Sequence, residues 1–135
     1  VSIGEVDILC RVRETATLCM ALATKMEYYR EMAVKVTGSW NDMPHATDNT
    51  GKQERYVIQL VDIQRMFAKE LDELTKLQKQ AREIINRIDV PEQRAVLELY
   101  YMMGGLKWED VASMLKTSLR HVYRLRDEAL KKAGG

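Results

Sequence analysis

The sequence predicts an all-α fold: a long antiparallel helical hairpin followed by a C-terminal helix-turn-helix domain. Three observations carry this. The 135 residues include only seven Gly and two Pro, and long stretches contain neither; these are the residues that cost a helix most. Apolar residues recur at seven-residue spacing along two long segments. Beyond Ile88, two short helical patterns meet across a brief turn. The division expected is residues 1–88 for the hairpin, an oligomerisation arm with a connection at 38–52, and residues 89–135 for the helix-turn-helix.

The first helix is expected from about Glu5 to Val36. Val12, Cys19, Met26 and Ala33 recur every seven residues, and Leu22, Tyr29 and Val36 follow three positions after members of that set. Gly38 is expected to end this helix. Gly38 to Lys52 reads as a polar loop, pinned by Trp40, Met43 and Pro44, with Thr47 to Gly51 mobile. The second helix is expected from about Gln53 to Ile88. Leu60, Phe67, Leu74, Ala81 and Ile88 form one series. Ile63, Leu77 and Ile84 form another, interrupted by Glu70, and Val57, Leu71 and Ile85 widen the stripe. Each Leu or Ile buried contributes roughly 1.5–3 kcal/mol, so such a stripe needs a cover. The first helix supplies one, and the width leaves room for a second chain; a homo-oligomer is expected.

Asp89-Val90-Pro91 punctuates the chain, since Pro suits the first position of a helix. The third helix then runs from Pro91 to about Met103, with Val96, Leu97, Tyr100 and Tyr101 inward. Gly104-Gly105 stops it in a left-handed turn. The fourth helix is Trp108 to Leu115, with Glu109 and Asp110 in its first turn, where negative charge suits the helix dipole. The fifth runs from Ser118, its cap, to about Lys132. Its inward positions are Val122, Leu125 and Ala129. Its outward positions are Arg120, His121, Tyr123, Arg124 and Arg126.

The net charge of +1 does not mark a general polyanion binder. Its distribution says more. Ser118 to Gly135 holds five basic residues against two acidic, whereas Asp89 to Thr117 holds three against five. Positive charge is thus concentrated on the last helix, the electrostatic footprint of contact with double-stranded DNA. Arg120, Arg124 and Arg126 read as DNA contacts, against the alternative of an ordinary solvated face. His121 is either a contact or a surface residue without a role. Tyr123 either stacks on sugar or packs against the third helix.

Cys10 and Cys19 stand roughly 13 Å apart along one helix, too far to bridge, which points to a reducing cytoplasm. No apolar run is long enough to span a membrane and no signal peptide is visible. The sequence opens at Val1, so a trimmed N-terminus is expected. His45 and the cysteines lack metal-ligand spacing, and Asp42 and Asp48 suit a loop. No Ser-His-acid set, phosphate loop or HExxH stands out. Neither an enzyme nor a cofactor or metal site is expected.

Pro91-Glu92-Gln93-Arg94-Ala95-Val96-Leu97, Tyr101, Gly104, Trp108-Glu109-Asp110-Val111-Ala112 and Ser118 to Leu130 resemble region 4 of bacterial sigma factors. In layout, most of the chain resembles the ArpU/RinA-type late-transcription regulators of Gram-positive phages. The resemblance implies a phage or prophage DNA-binding regulator in the bacterial cytoplasm. It implies that Ser118 caps the recognition helix, that Leu119, Arg120, His121, Tyr123 and Arg124 face the groove, and that Val111, Ala112, Leu115, Val122 and Leu125 hold the two helices together. The chain departs from that pattern at Lys107, Lys116, Thr117 and Tyr100. Lys116 stands where Gly is usual, which costs roughly 1 kcal/mol if the turn is left-handed. Lys107 leaves the fourth helix without a side-chain cap. Two alternatives remain open: a terminase-small-subunit-like packaging factor, and an adaptor that binds RNA polymerase without reading DNA alone.

Overall fold

A computed structural model describes the backbone of residues 3–40 and 46–134, and side-chain environments over 4–35 and 51–134. Every regular element among the described residues is helical. Helix α1 spans Ile3–Trp40 and α2 spans Ala46–Asn86, forming an antiparallel pair. Three shorter helical segments follow. α3 (Pro91–Leu97) passes directly into a π-helical stretch at Glu98–Met102; α4 is Trp108–Met114 and α5 is Leu119–Gly134.

Both long helices run into the 38–52 stretch, which the sequence suggests is a loop. Extending an existing helix adds a hydrogen bond per residue, and one internal Gly costs only about 1 kcal/mol. Gly38 is therefore too weak a stop. The expected anchoring by Trp40, Met43 and Pro44, and the place of Val36 in the seam, fall outside the described side chains. α2 closes on two short-range bonds, from Arg87 N–H to the Ile84 carbonyl (3.2 Å) and from Ile88 N–H to the Ile85 carbonyl (3.0 Å).

Residues 1–17 and 72–135 form one compact unit. Its α1 portion buries Leu9, Val12 and Ala16; its α2 portion and exit bury Leu74, Leu77, Ala81, Ile84, Ile85 and Ile88. Surface ion pairs join the two helices: Glu5 meets Arg87 at 2.7 Å and Arg11 meets Glu73 at 3.5 Å. A second cluster, Val96, Val111, Ala112, Val122 and Leu125, holds α3, α4 and α5 together, and Leu115 packs against it. This matches the residues assigned to the helix-turn-helix core.

Residues 18–71 form the other unit. Among its described residues only Cys19, Leu22 and Ile63 are buried, while Leu18, Met20, Val34, Ile58, Val61 and Met66 are exposed. Met26, Tyr29, Leu60 and Phe67 are half-buried. Of the residues expected to widen the stripe, Ile85 is fully buried but Val57 and Leu71 are each 43% exposed. Two helices share one narrow seam, so apolar residues beside the seam stay at the surface.

Candidate nucleic-acid interface

The turn between α4 and α5 begins with how α4 starts and stops. Lys107 offers no side-chain cap. Instead the Asp110 carboxylate accepts from the Lys107 backbone N–H at 2.8 Å, one half of a capping box. At the other end, the Thr117 N–H donates to the Ala112 carbonyl (3.0 Å) and the Lys116 N–H to the Ser113 carbonyl (3.2 Å). These two bonds define a Schellman stop, which places the next residue in the left-handed region. Lys116 occupies that position with φ 55°. The turn therefore keeps its usual geometry despite lacking Gly. Ser118 caps α5 as expected, its Oγ accepting from the His121 N–H at 3.1 Å.

The inward face of α5 is Val122, Leu125, Ala129 and Ala133, all buried. Arg120 and Arg124 are exposed on the opposite face. Among the described residues, Arg120 makes no ion pair or side-chain hydrogen bond. Arg124 donates from Nη2 to His121 Nδ1 at 2.9 Å, and its Nε lies 4.0 Å from Glu128 Oε1. His121 Nε2 lies 3.7 Å from Glu92 Oε2 on α3.

The other nominated residues sit closer to the protein. Leu119 is half-buried against the helix-turn-helix core. Tyr123 meets Trp108 edge to face, with ring centroids 6.4 Å apart, and carries the Arg126 guanidinium 4.7 Å over its ring. Arg126 also pairs with Asp127 at 2.8 Å. Lys132 donates to Asp89 at 3.1 Å, and this bond holds the Asp89 carboxyl below its ordinary range. Much of the basic charge counted on this segment is thus met by neighbouring carboxylates. Arg120 and Arg124 remain the exposed guanidiniums of the helix.

Some contributors carry no spacing signal. Gln93, only 5% exposed, donates from Nε2 to Glu128 Oε2 at 2.8 Å. Tyr100 stacks face to face on Trp108, 3.6 Å between centroids and 4° between planes. Its ring serves packing at one of the positions where the chain departs from the sigma-like pattern. A Gln one residue after Glu92 reveals its partner only once α3 and α5 are docked, and two aromatics eight residues apart reveal theirs only once α4 folds back on the π-helical stretch.

Among the described residues, no helix is long and apolar enough to cross a membrane, and no group of three or more His, Cys, Asp or Glu converges as metal ligands do. Both cysteines are free, and burial pushes each thiol above its ordinary value.

The fold and this surface define an all-α protein with a C-terminal helix-turn-helix. The chain belongs to the family described as "Protein of unknown function (DUF722)", matched over residues 27–133. No curated protein and no solved structure gives a match.

Proposed function

We propose that this chain is a DNA-binding transcriptional regulator of phage or prophage origin, acting through α5 in the major groove in the cytoplasm of a bacterial host. The observation that carries the reading is the pairing of exposed Arg120 and Arg124 on α5, immediately after a left-handed helix-turn-helix corner. Arg is the side chain best suited to guanine edges and also serves phosphate. Ser118, at the cap, is positioned for a phosphate contact, and Arg120 is the first residue expected to meet a base. Leu119 and Tyr123 support α5 more than they read DNA.

The α1/α2 arm is proposed to pair copies of the chain. Its 18–71 portion leaves Ile58, Val61 and Met66 in water, a face that a second copy would cover. One helix-turn-helix touches few base pairs, and pairing raises effective concentration. Selection of bound fragments from a phage-bearing bacterial genome tests the reading. Recovery of a late promoter supports it, and recovery of a packaging site or of no enriched fragment overturns it.

A further inference from the structure

We infer that His121 is a positioning residue for Arg124, and that protonation of its imidazole releases the arginine. This rests on the DNA-binding reading above. A guanidinium carries donors only. Arg124 Nη2, 2.9 Å from His121 Nδ1, therefore requires a lone pair on Nδ1. The imidazole in this geometry is neutral, with its proton on Nε2, facing the Glu92 carboxylate at 3.7 Å.

The arrangement is anchored at both ends on α3. Arg124 lies 4.0 Å from Glu128, and Glu128 accepts at 2.8 Å from Gln93, the neighbour of Glu92. Gln93 is a buried, fixed point. The chain of contacts leaves α3 at Glu92, passes through His121, Arg124 and Glu128, and returns at Gln93. The rest of the groove around His121 is Pro91, Ala95, Leu115, Thr117 and Leu125, which do not titrate. The charged groups facing the imidazole are therefore Glu92 from α3 and Arg124 from α5, with Glu128 behind Arg124.

Neutral His121 occupies one Arg124 donor and leaves the others for a base edge or phosphate. A proton on Nδ1 would place two donors and two cations face to face. The hydrogen bond is lost, Arg124 swings away, and His121 turns wholly to Glu92. Sequence discrimination should fall, while attraction to phosphates in general should not, because the face gains a positive charge.

The test uses the full chain. A duplex selected from a random pool at about pH 8, and a shuffled version of it, are titrated at about pH 8 and about pH 5.5 at constant salt. The ratio of their affinities should fall at least about five-fold at the lower pH, with the shuffled duplex bound no more weakly. His121→Asn keeps an acceptor near Nδ1 and does not titrate, so its ratio should stay high at both values. Arg124→Gln should give a low ratio at both. Nitrogen NMR of the DNA-free protein should show unprotonated Nδ1 at about pH 8. Duplex binding with a ratio indifferent to pH, or a proton found on Nδ1, overturns the inference alone. Failure to bind any duplex at low salt overturns the DNA reading and the inference with it.

Discussion

The Arg13 guanidinium lies 3.8 Å over the ring of Tyr100, while its Nη1 donates to the Tyr100 carbonyl at 2.9 Å. Tyr100 belongs to the last turn of its helical segment, where carbonyls lack partners within the helix. One side chain of α1 thus satisfies a backbone acceptor and extends the Tyr100–Trp108 stack by a further layer. Arg13→Ala should destabilise the protein by about 1–2 kcal/mol, through the lost hydrogen bond and cation–π contact. Arg13→Lys should recover only part of this, because an ammonium cannot stack as a plane. Urea denaturation measures both, and a loss below about 0.3 kcal/mol for the Ala variant would show the contact to be inert.

Gly104 is held by two constraints at once. Its φ of +71° favours Gly, and a Cβ there would stand 2.8 Å from the Ala16 Cβ. Gly104→Ala should cost about 2–4 kcal/mol, combining left-handed strain with overpacking against α1. Ala16→Gly in the same chain should recover the packing part and leave the strain. A variant within about 0.5 kcal/mol of wild type would mean that the turn relaxes freely.

Lys116 presents the opposite case, a side chain where the backbone prefers none. Lys116→Gly should raise stability by about 0.5–1 kcal/mol, the relief of left-handed strain less the added freedom of the unfolded chain. Because Lys116 is exposed, the core should be unchanged. Thermal unfolding of the pair checks this, and a less stable Gly variant would place the strain elsewhere.

Burial pushes the Tyr101 phenol up to about 12, with smaller contributions from Cys10 and Tyr100 that outweigh the nearby arginines. The folded state therefore favours the neutral phenol. An unfolded chain ionises its tyrosines near about pH 10, so the contribution of Tyr101 is intact below that value. It should be lost progressively as pH rises from about 10 to 12. Denaturant midpoints at about pH 9 and about pH 11 should diverge in wild type and diverge less in Tyr101→Phe.

The fold was legible because its signals are local. The seven-residue series announces α1 and α2, Pro91 and the paired glycines bracket the third helix, and Ser118 marks the start of α5. Even the left-handed strain at Lys116 follows from where a Schellman turn must fall. The helix ends within 38–52 were not legible, since Gly38 and a polar run are weak breakers against an established helix. The π-helical stretch at Glu98–Met102 was also hidden, because an i→i+5 ladder has no composition of its own. At the candidate site, spacing identified which residues of α5 point outward. It did not reveal that Tyr123 and Arg126 turn toward Trp108, or that Glu92 and Glu128 flank His121 and Arg124. Those relationships need the docking of α5 against α3 and α4, which lies beyond one-dimensional pattern.

The proposed DNA-binding role of Arg120 and Arg124 comes down to a salt titration. Duplex DNA should be bound at about 50 mM salt and lose affinity steeply toward about 200 mM, with log K linear in log salt, as counterions leave the phosphates. The double variant Arg120→Ala, Arg124→Ala should lose binding while its unfolding free energy stays within about 1 kcal/mol of wild type, since both side chains are exposed. Absence of binding by the wild-type chain at the lowest salt would contradict the proposal, and so would a folded double variant that binds as tightly.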